Sequence, residues 1–407
     1  MLRDIHFQGV SAPLRLDGAD EVHPLLARIA ADWPFEVSEA DPAAAPFFTI
    51  RSVEGASRLR CESHVEDRPA QLWDPVNAVC DAIAGLAVAL PLSDARLISL
   101  HAAGVAFAGR LVVFPNIRRA GKSTLSAAFA RAGHPVFSDD VVPLSFPAGG
   151  PACAHALGIA PRLRLPLPES LPGDFRAWAE AAPGPRNRQY QYLTLPGQPV
   201  HGATLPVGAF VLLERRDGPV VAELVPVPAE AAMDALLHQN FTRDRHSGEV
   251  LEVIAASLEA GPVWQLVYAD LDEAVACLEA GFRGWAGTAE PGTGEEHRFG
   301  PARLDYRPGP PGRSVVQRVG VVERWIGEVL YLADPEGRAI QRMDALAAAI
   351  WGMLEEPATP DELEEALAEA FPEIPRERIA ADLQALLDRL WDAGLVGAAE
   401  VSTVDKL

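Results

Sequence analysis

Phe114 to Thr124 reads FPNIRRAGKST. It follows the apolar run RLVVF, Arg110 to Phe114, and opens the helix-like stretch STLSAAFARAG, Ser123 to Gly133. A strand, a loop ending in Gly-Lys-Ser and a helix form the context in which a phosphate-cradling loop acquires physical meaning. In such a loop the backbone N–H groups of Asn116, Ile117, Arg118, Arg119, Ala120, Gly121, Lys122, Ser123 and Thr124 would face phosphate oxygens. Lys122 would reach the β/γ-phosphates and Ser123 would hold Mg²⁺. One position departs from G-x-x-x-x-G-K-[ST]: Asn116 stands where the first glycine belongs. Asparagine tolerates the left-handed backbone next best after glycine, so the loop is still expected to form. Lysine usage points the same way. The chain holds only Lys122 and Lys406 among its 35 cationic residues, so arginine serves wherever a generic positive charge suffices. A lysine kept at 122 fits a need for a compact ammonium that a planar guanidinium does not meet.

Outward from this loop, LISLHAAGVAF (97–107), RLVVF, the helix and HPVFSDDVVPL (134–144) give a strand, strand, helix, strand order, that of a nucleotide-binding α/β core. Asp139 and Asp140 fall at the end of VFSDD, the strand edge where α/β sheets place ligands. One carboxylate is expected to accept a hydroxyl proton and the other to support Mg²⁺. His101 sits in the apolar run before the loop, where a core residue is the plainer reading.

With 407 residues the chain exceeds one ordinary core, and about two or three domains are expected. Residues 1–96 mix strand-like runs such as Phe47 to Arg51 with an apolar helical stretch from Val76 to Leu90. Residues 97–283 form the catalytic region, with proline-rich strands and helices around Ala229 to Gln239 and Leu271 to Ala280. Residues 284–312, GWAGTAEPGTGEEHRFGPARLDYRPGPPG, read as a flexible linker. Residues 313–397 read as a separate small domain: two or three strands with a turn at Asp334 to Gly337, then three helices. The helical stripes are Leu346, Ile350, Met353, Leu354; Leu363, Leu367, Phe371; and Ile379, Leu383, Leu386, Leu387, Leu390, Trp391. Thr359 and Glu362 predict a capping box with Pro360 in the first turn, and Gly394 a helix stop.

The net charge of -21 weighs against nucleic acid and anionic membrane partners. No stretch reads as a bilayer span, and the N-terminus lacks a signal-like apolar core, so a cytoplasmic location is expected. Cys61, Cys80, Cys153 and Cys277 have no paired spacing and read as small buried hydrophobes.

The stretch from Leu97 to Leu144, with SLHA ahead of GKST and SDD behind it, resembles the catalytic core of HPr serine kinases and their HPr-kinase-related relatives. The segments ALGIAPRLRLPLP, RNRQYQYLTLP and LPVGAFVLLERR extend the similarity loosely to about Phe282. The resemblance implies ATP and Mg²⁺ as cofactors, Asp139 as general base, His101 as its neighbour and Asp140 as a metal-side carboxylate beside Ser123. The family's further glutamate is matched by Cys153, a departure that bears on metal coordination and on HPr itself as substrate. HPr kinases form hexamers, and a homo-oligomer is compatible with the resemblance, although assembly does not transfer by motif.

Arg313 to Gly397 resembles the PqqD family of small winged-helix-like domains, which bind the leader of a ribosomally made precursor peptide. The resemblance is carried by VVERWIGEVLYL, MDALAAAIWGML, TPDELEEAL and DLQALLDRLWDAGLV. Asp plus Glu exceed Lys plus Arg by 19 to 9 in residues 313–407, which argues against the DNA binding of generic winged helices. Together the expectations are an α/β, HPr-kinase-like P-loop core with flanking strands, plus a small α+β C-terminal domain. The expected activity is ATP-dependent phosphorylation of a hydroxyl on a precursor peptide. A nucleotide-binding peptide chaperone, and a cyclase or dehydratase working through a phosphorylated intermediate, are the alternatives.

Overall fold

The structure, a computed structural model, describes residues 1–115, 121–242, 244–285, 294–309 and 313–399. It is a mixed α/β protein of several sheets, with ten helices among the described residues. The chain divides into two compact units, residues 1–242 with 257–298 and residues 243–256 with 299–407.

In the first unit, β1 (Leu2–Phe7), β2 (Leu14–Asp17), β3 (Phe35–Glu39), β4 (Phe48–Ser52), β5 (Leu59–Ser63) and β6 (Gln71–Trp73) form one sheet in the order β3-β1-β2-β4-β5-β6. Helices α1 (Val22–Ile29) and α2 (Pro75–Ser93) pack with each other, and α2 also packs on β4 and β5. Asp74 caps α2 by accepting from Val76 N and Asn77 N at 3.0 and 3.2 Å, and Pro75 supplies the first turn. By length and composition α2, with 19 residues and a mean hydropathy of 1.7, does qualify as a bilayer span, contrary to the reading from sequence. Its residues Val79, Ala82, Leu86 and Leu90 lie instead in the core under the sheet, with Phe47, Phe48 and Ile50.

A second sheet of nine strands follows. It contains β7 (Ile98–Leu100), β8 (Ala103–Phe107), β9 (Arg110–Phe114), β10 (Val136–Ser138), β11 (Val142–Ser145), β12 (Cys153–His155), β15 (Thr204–Arg215), β16 (Glu223–Pro226) and β17 (Val263–Tyr268). A two-stranded pair, β13 (Arg162–Arg164) with β14 (Tyr190–Tyr192), stands apart. The helices are α3 (Lys122–Arg131), α4 (Gly173–Ala181), α5 (Ala229–Gln239) and α7 (Leu271–Phe282), while α6 (Ser247–Ala260) belongs through Ala256 to the second unit. Strand β15 runs parallel to β9 and to β17, so the three end at a common carboxyl edge. Strands β8 and β9 join through the two-residue turn Ala108–Gly109, with φ of 45° and 80°, the double positive φ that a tight hairpin demands.

The runs LISLHAAGVAF and HPVFSDDVVPL are not single strands. Each breaks in two: β7 pairs with β11 (Leu100 opposite Val142), and β8 pairs with β10 (Gly104 opposite Ser138). The pairs Leu100–Val142 and Gly104–Ser138 share one antiparallel register across the interruption at His101–Ala102 and Asp139–Val141, whereas the β8–β10 pair shifts register between Val136 and Ser138. A continuous apolar run reports burial, but it does not report where a strand leaves one neighbour for the next.

The second unit contains β18 (Val315–Gln317), β19 (Val322–Ile326), β20 (Val329–Ala333), β21 (Ile340–Met343), α8 (Ala345–Met353), α9 (Pro360–Ala370), α10 (Arg376–Asp392) and β22 (Val396–Ala398). Strands β19, β20 and β21 form an antiparallel sheet, and β18 pairs with β22. Ile350, Trp351, Leu363, Leu383, Leu387 and Leu390 lie in its core. Leu346 and Met353 point outward instead, 48% and 39% exposed, because Ala348 and Trp351 take the inner face of α8. The capping box forms: Thr359 Oγ1 accepts from Glu362 N at 3.2 Å, and the Glu362 carboxylate accepts from Thr359 N at 2.8 Å. Gly394 ends α10 at φ 71°, where a Cβ would fall 2.4 Å from Arg338 Nη2.

Residues 286–293 and 310–312 of the expected linker lie outside the described residues. The remainder is irregular but anchored, which a free spacer would not be. His297 N donates to Phe146 O in the first unit. In the second unit Arg303 N donates to Glu336 O, and the Tyr306 ring lies 4.8 and 5.0 Å from the guanidinium carbons of Arg318 and Arg338. Loop composition signals the lack of periodic structure, not the lack of contacts.

Candidate functional site

Asn116, Ile117, Arg118, Arg119 and Ala120 lie outside the described residues. Gly121 has a φ of 94° and stands at the N-cap of α3. A Cβ there would meet Tyr268 Oη at 2.6 Å, so both backbone and space require glycine. Tyr268 closes β17 at the shared carboxyl edge, which ties the start of α3 to the parallel strands. The first N–H groups of a helix have no intrahelical partner and carry its positive dipole end. Lys122, Ser123 and Thr124 begin at that end, and Lys122 is buried.

The broken ladder brings His101 and Asp140 together. His101 Nε2 lies 3.0 Å from Asp140 Oδ1, a contact that becomes an ion pair when the imidazole is protonated. The resemblance implied His101 beside Asp139, but its side chain contacts Asp140. Its ring stacks on Phe241 at 5.6 Å, and its N–H donates to Gln239 O at 2.7 Å, so the end of α5 orients it.

Asp139 points the other way. It is 5% exposed, accepts from Arg162 N at 3.1 Å, and is hydrogen-bonded by the Ser123 side chain. Burial, with the Asp140 charge beside it, pushes its pKa from 3.8 up to about 6. Burial also acts to raise Asp140. The His101 hydrogen bond and the charges of Arg162, His101 and Lys122 outweigh it and hold that carboxyl at about 2. The Asp140 side chain remains 34% exposed, so solvent or a ligand reaches it.

Arg162, at the start of β13, was not singled out from the sequence. Besides Asp139 it binds Asp140 Oδ2 through Nη2 at 2.9 Å, contacts Cys80 Sγ through Nη1, and lies 4.6 Å from the Tyr190 ring centroid. It supplies the cation that two adjacent carboxylates need inside a protein. Its only signal in the sequence is its place in ALGIAPRLRLPLP. Cys153 is buried on β12, where its thiol donates to Pro151 O. Among the described residues no group of three or more His, Cys, Asp or Glu is arranged to hold a metal. The donor set therefore comprises a helix N-terminus, one ammonium, one hydroxyl and two carboxylates. That set suits a phosphate-bearing anion with a cation such as magnesium, which uses one or two carboxylates and takes its other ligands from phosphate and water.

In the second unit, β18 is occupied on both sides: Val315 pairs with Ala398 of β22 and bridges to Ala358. Among the described residues, no strand pairs with the outer edges of β19 and β21. On β19, Arg324 Nε donates to Glu252 Oε2 at 2.9 Å, Glu323 accepts from Trp351 Nε1 at 3.0 Å, and Trp325 is 56% exposed.

No curated protein matches the chain. Residues 330–396, from the second residue of β20 to the first of β22, match the family described as Coenzyme PQQ synthesis protein D (PqqD).

Proposed function

We propose that the chain is an ATP- and Mg²⁺-dependent kinase that phosphorylates a hydroxyl of a precursor peptide held by its PqqD-like domain. The observation that carries the reading is the convergence of Lys122, Ser123, Asp139, Asp140 and His101 at the start of α3. The resemblance of residues 97–144 to HPr-kinase-related proteins supports it, as does the PqqD match at residues 330–396. Domains of that family take peptides in ribosomal peptide maturation, so a peptide acceptor follows.

Lys122 and the N-terminus of α3 would bind the β/γ-phosphates, and Ser123 with Asp139 would hold the ion. Magnesium, when bound, neutralises charge on the phosphoryl oxygens. The two carboxylates then divide differently from the expectation drawn from sequence. Geometry ranks before base strength in choosing a general base. Asp139 is enclosed and engaged by Ser123, whereas Asp140 is accessible and oriented by His101 and Arg162. Asp140 would thus accept the hydroxyl proton, Arg162 and His101 would position it, and Asp139 would serve the metal. The low basicity of Asp140 is tolerable because proton transfer comes late in a loose phosphoryl-transfer transition state.

The test is mass spectrometry of candidate precursor peptides after incubation with the protein, ATP and Mg²⁺. A peptide heavier by one phosphoryl group is expected. Free phosphate with a dehydrated product would assign a cyclase or dehydratase, and absence of turnover a chaperone. Asp140→Asn should keep Mg²⁺–ATP affinity and lose transfer, whereas Asp139→Asn should lose the Mg²⁺ dependence of binding. The reverse pattern would restore Asp139 as the base.

A further inference from the structure

The first unit holds a cavity of about 1150 Å³ between the start of α2, Arg176 and Glu180 of α4, and the chain entering β14. Leu72, Trp73, Leu165 and Leu167 line it together with Arg58, Arg176, Arg186 and Arg188. Among the described residues, none of these four arginines forms an ion pair, and the Arg176 Nε is buried without a hydrogen-bond partner. Two acids also line the cavity. Asp74 is engaged, capping α2 and accepting from Asn187 Nδ2 at 2.9 Å, which leaves Glu180. Asn187 Oδ1 accepts from Gln189 N and Tyr190 N at 2.8 and 2.7 Å, fixing the turn that carries Arg186 and Arg188. In a chain of net charge -21, four guanidinium groups without ion pairs around one partly apolar cavity form a local exception.

We propose that this cavity binds an acidic, partly apolar segment of the peptide substrate and leads it toward Asp140. The inference rests on the kinase reading for its destination but not for its binding chemistry. Planar guanidinium forks take carboxylates in pairs, and arginine rather than lysine is suited to that geometry. The volume exceeds the usual range of small-molecule pockets, roughly 300–1,000 Å³, and the cavity is open, as an extended chain requires. Direction comes from the antiparallel pair β13–β14. Leu165 and Leu167 follow β13, Arg186 and Arg188 precede β14, and Tyr190 of β14 lies against Arg162, which holds Asp140.

The experiment uses the full chain without nucleotide and a fluorescent peptide of alternating Glu and Leu, read by anisotropy. Glutamine and lysine versions of the peptide are the controls. Binding of the Glu peptide alone is expected, and the exposed pair Arg186→Ser and Arg188→Ser should weaken it about tenfold or more by removing two charge-assisted contacts. Lys122→Ala should leave it unchanged, so a failure of ATP turnover and a failure of this site remain separable. Equal binding of the Glu and Gln peptides would overturn the proposal in favour of a plain apolar groove. Displacement by millimolar inorganic phosphate would overturn it in favour of a small-anion site. Loss of binding in Lys122→Ala would place the peptide in the phosphate site and also overturn it.

Discussion

Asp139→Asn should make the protein more stable while removing its activity, and the size of the effect should depend on pH. The native carboxyl titrates near 6 because burial and Asp140 oppose its charge, whereas the unfolded chain releases the same proton near 3.8. Between those values the native state holds more protons than the unfolded state, so stability falls as pH rises through the interval and the loss is complete above about 6. About two units at roughly 1.36 kcal/mol each give a burden of ~3 kcal/mol at neutral pH. Asparagine retains an oxygen for Arg162 N, and its amide can donate to the Ser123 hydroxyl, so no polar atom is stranded. Burying the neutral amide still costs about 1 kcal/mol. A net gain of ~1–2 kcal/mol follows, on the order of 2–8 °C in melting temperature for a unit of this size. Scanning calorimetry of wild type and Asp139→Asn from pH 4 to 8 measures it. The gain should vanish toward pH 4, where wild-type Asp139 is protonated, and grow through pH 6. A gain that does not change with pH, or destabilisation at pH 8, would refute the account of Asp139 as a charge held against its environment.

Lys122→Ala should abolish ATP turnover, and Lys122→Arg should lower it severely, since a planar fork does not fit the space of a buried ammonium; wild-type rates in both would end the phosphate-loop reading. Gly121→Ala should lose nucleotide affinity through its φ of 94° and the contact with Tyr268 Oη, and Tyr268→Phe in the same chain should restore part of it; equal affinity in single and double variants would remove Tyr268 from the argument. Arg162→Met leaves Asp140 and Asp139 without their shared cation and should cost about 3–5 kcal/mol in the first unit, measured by urea unfolding. Trp325→Ala, on β19, whose outer edge no described strand covers, should weaken precursor binding by about thirtyfold, as loss of an aromatic anchor worth ~2 kcal/mol does, without altering ATP turnover.

Signals confined to a few neighbouring residues were legible in the sequence. Thr359 and Glu362 form their box, α5 spans Ala229–Gln239 as its periodicity indicates, and Gly394 ends α10. The Gly-Lys-Ser run likewise follows β9 and opens α3, with Gly121 as its N-cap. What depends on chain segments meeting across the fold was not legible. Periodicity placed Leu346 and Met353 inside α8, but Trp351 Nε1 reaches Glu323 of β19, which turns the helix so that they face outward. Phe299 and Tyr306 sat in a Gly- and Pro-rich stretch without periodicity, so neither the burial of Phe299 nor the place of Tyr306 between two arginines left any trace. Arg162 is one of 33 arginines, and only the approach of β13 to the broken ladder distinguishes it.

That break also explains why the candidate site lies where it does. A strand paired without interruption directs its side chains alternately to the two faces and uses its N–H and C=O groups in the ladder. Between Leu100 and Gly104, and between Ser138 and Val142, the two runs stop pairing with each other, and the intervening N–H groups take other partners: His101 N donates to Gln239 O, and Asp140 N and Val141 N donate to Ser138 Oγ. Asp139 can therefore face Ser123 while Asp140, its immediate neighbour, faces His101. Two adjacent carboxylates directed to different partners acquire different environments, one enclosed and raised to about 6, the other accessible and held at about 2. Environments that drive two like groups apart are how a protein assigns them separate tasks. The pair at 139–140 thus lies where the ladder is interrupted, and both carboxylates serve the start of α3: Asp139 takes the Ser123 side chain, while Asp140 lies near the Lys122 charge and is held by His101 and Arg162.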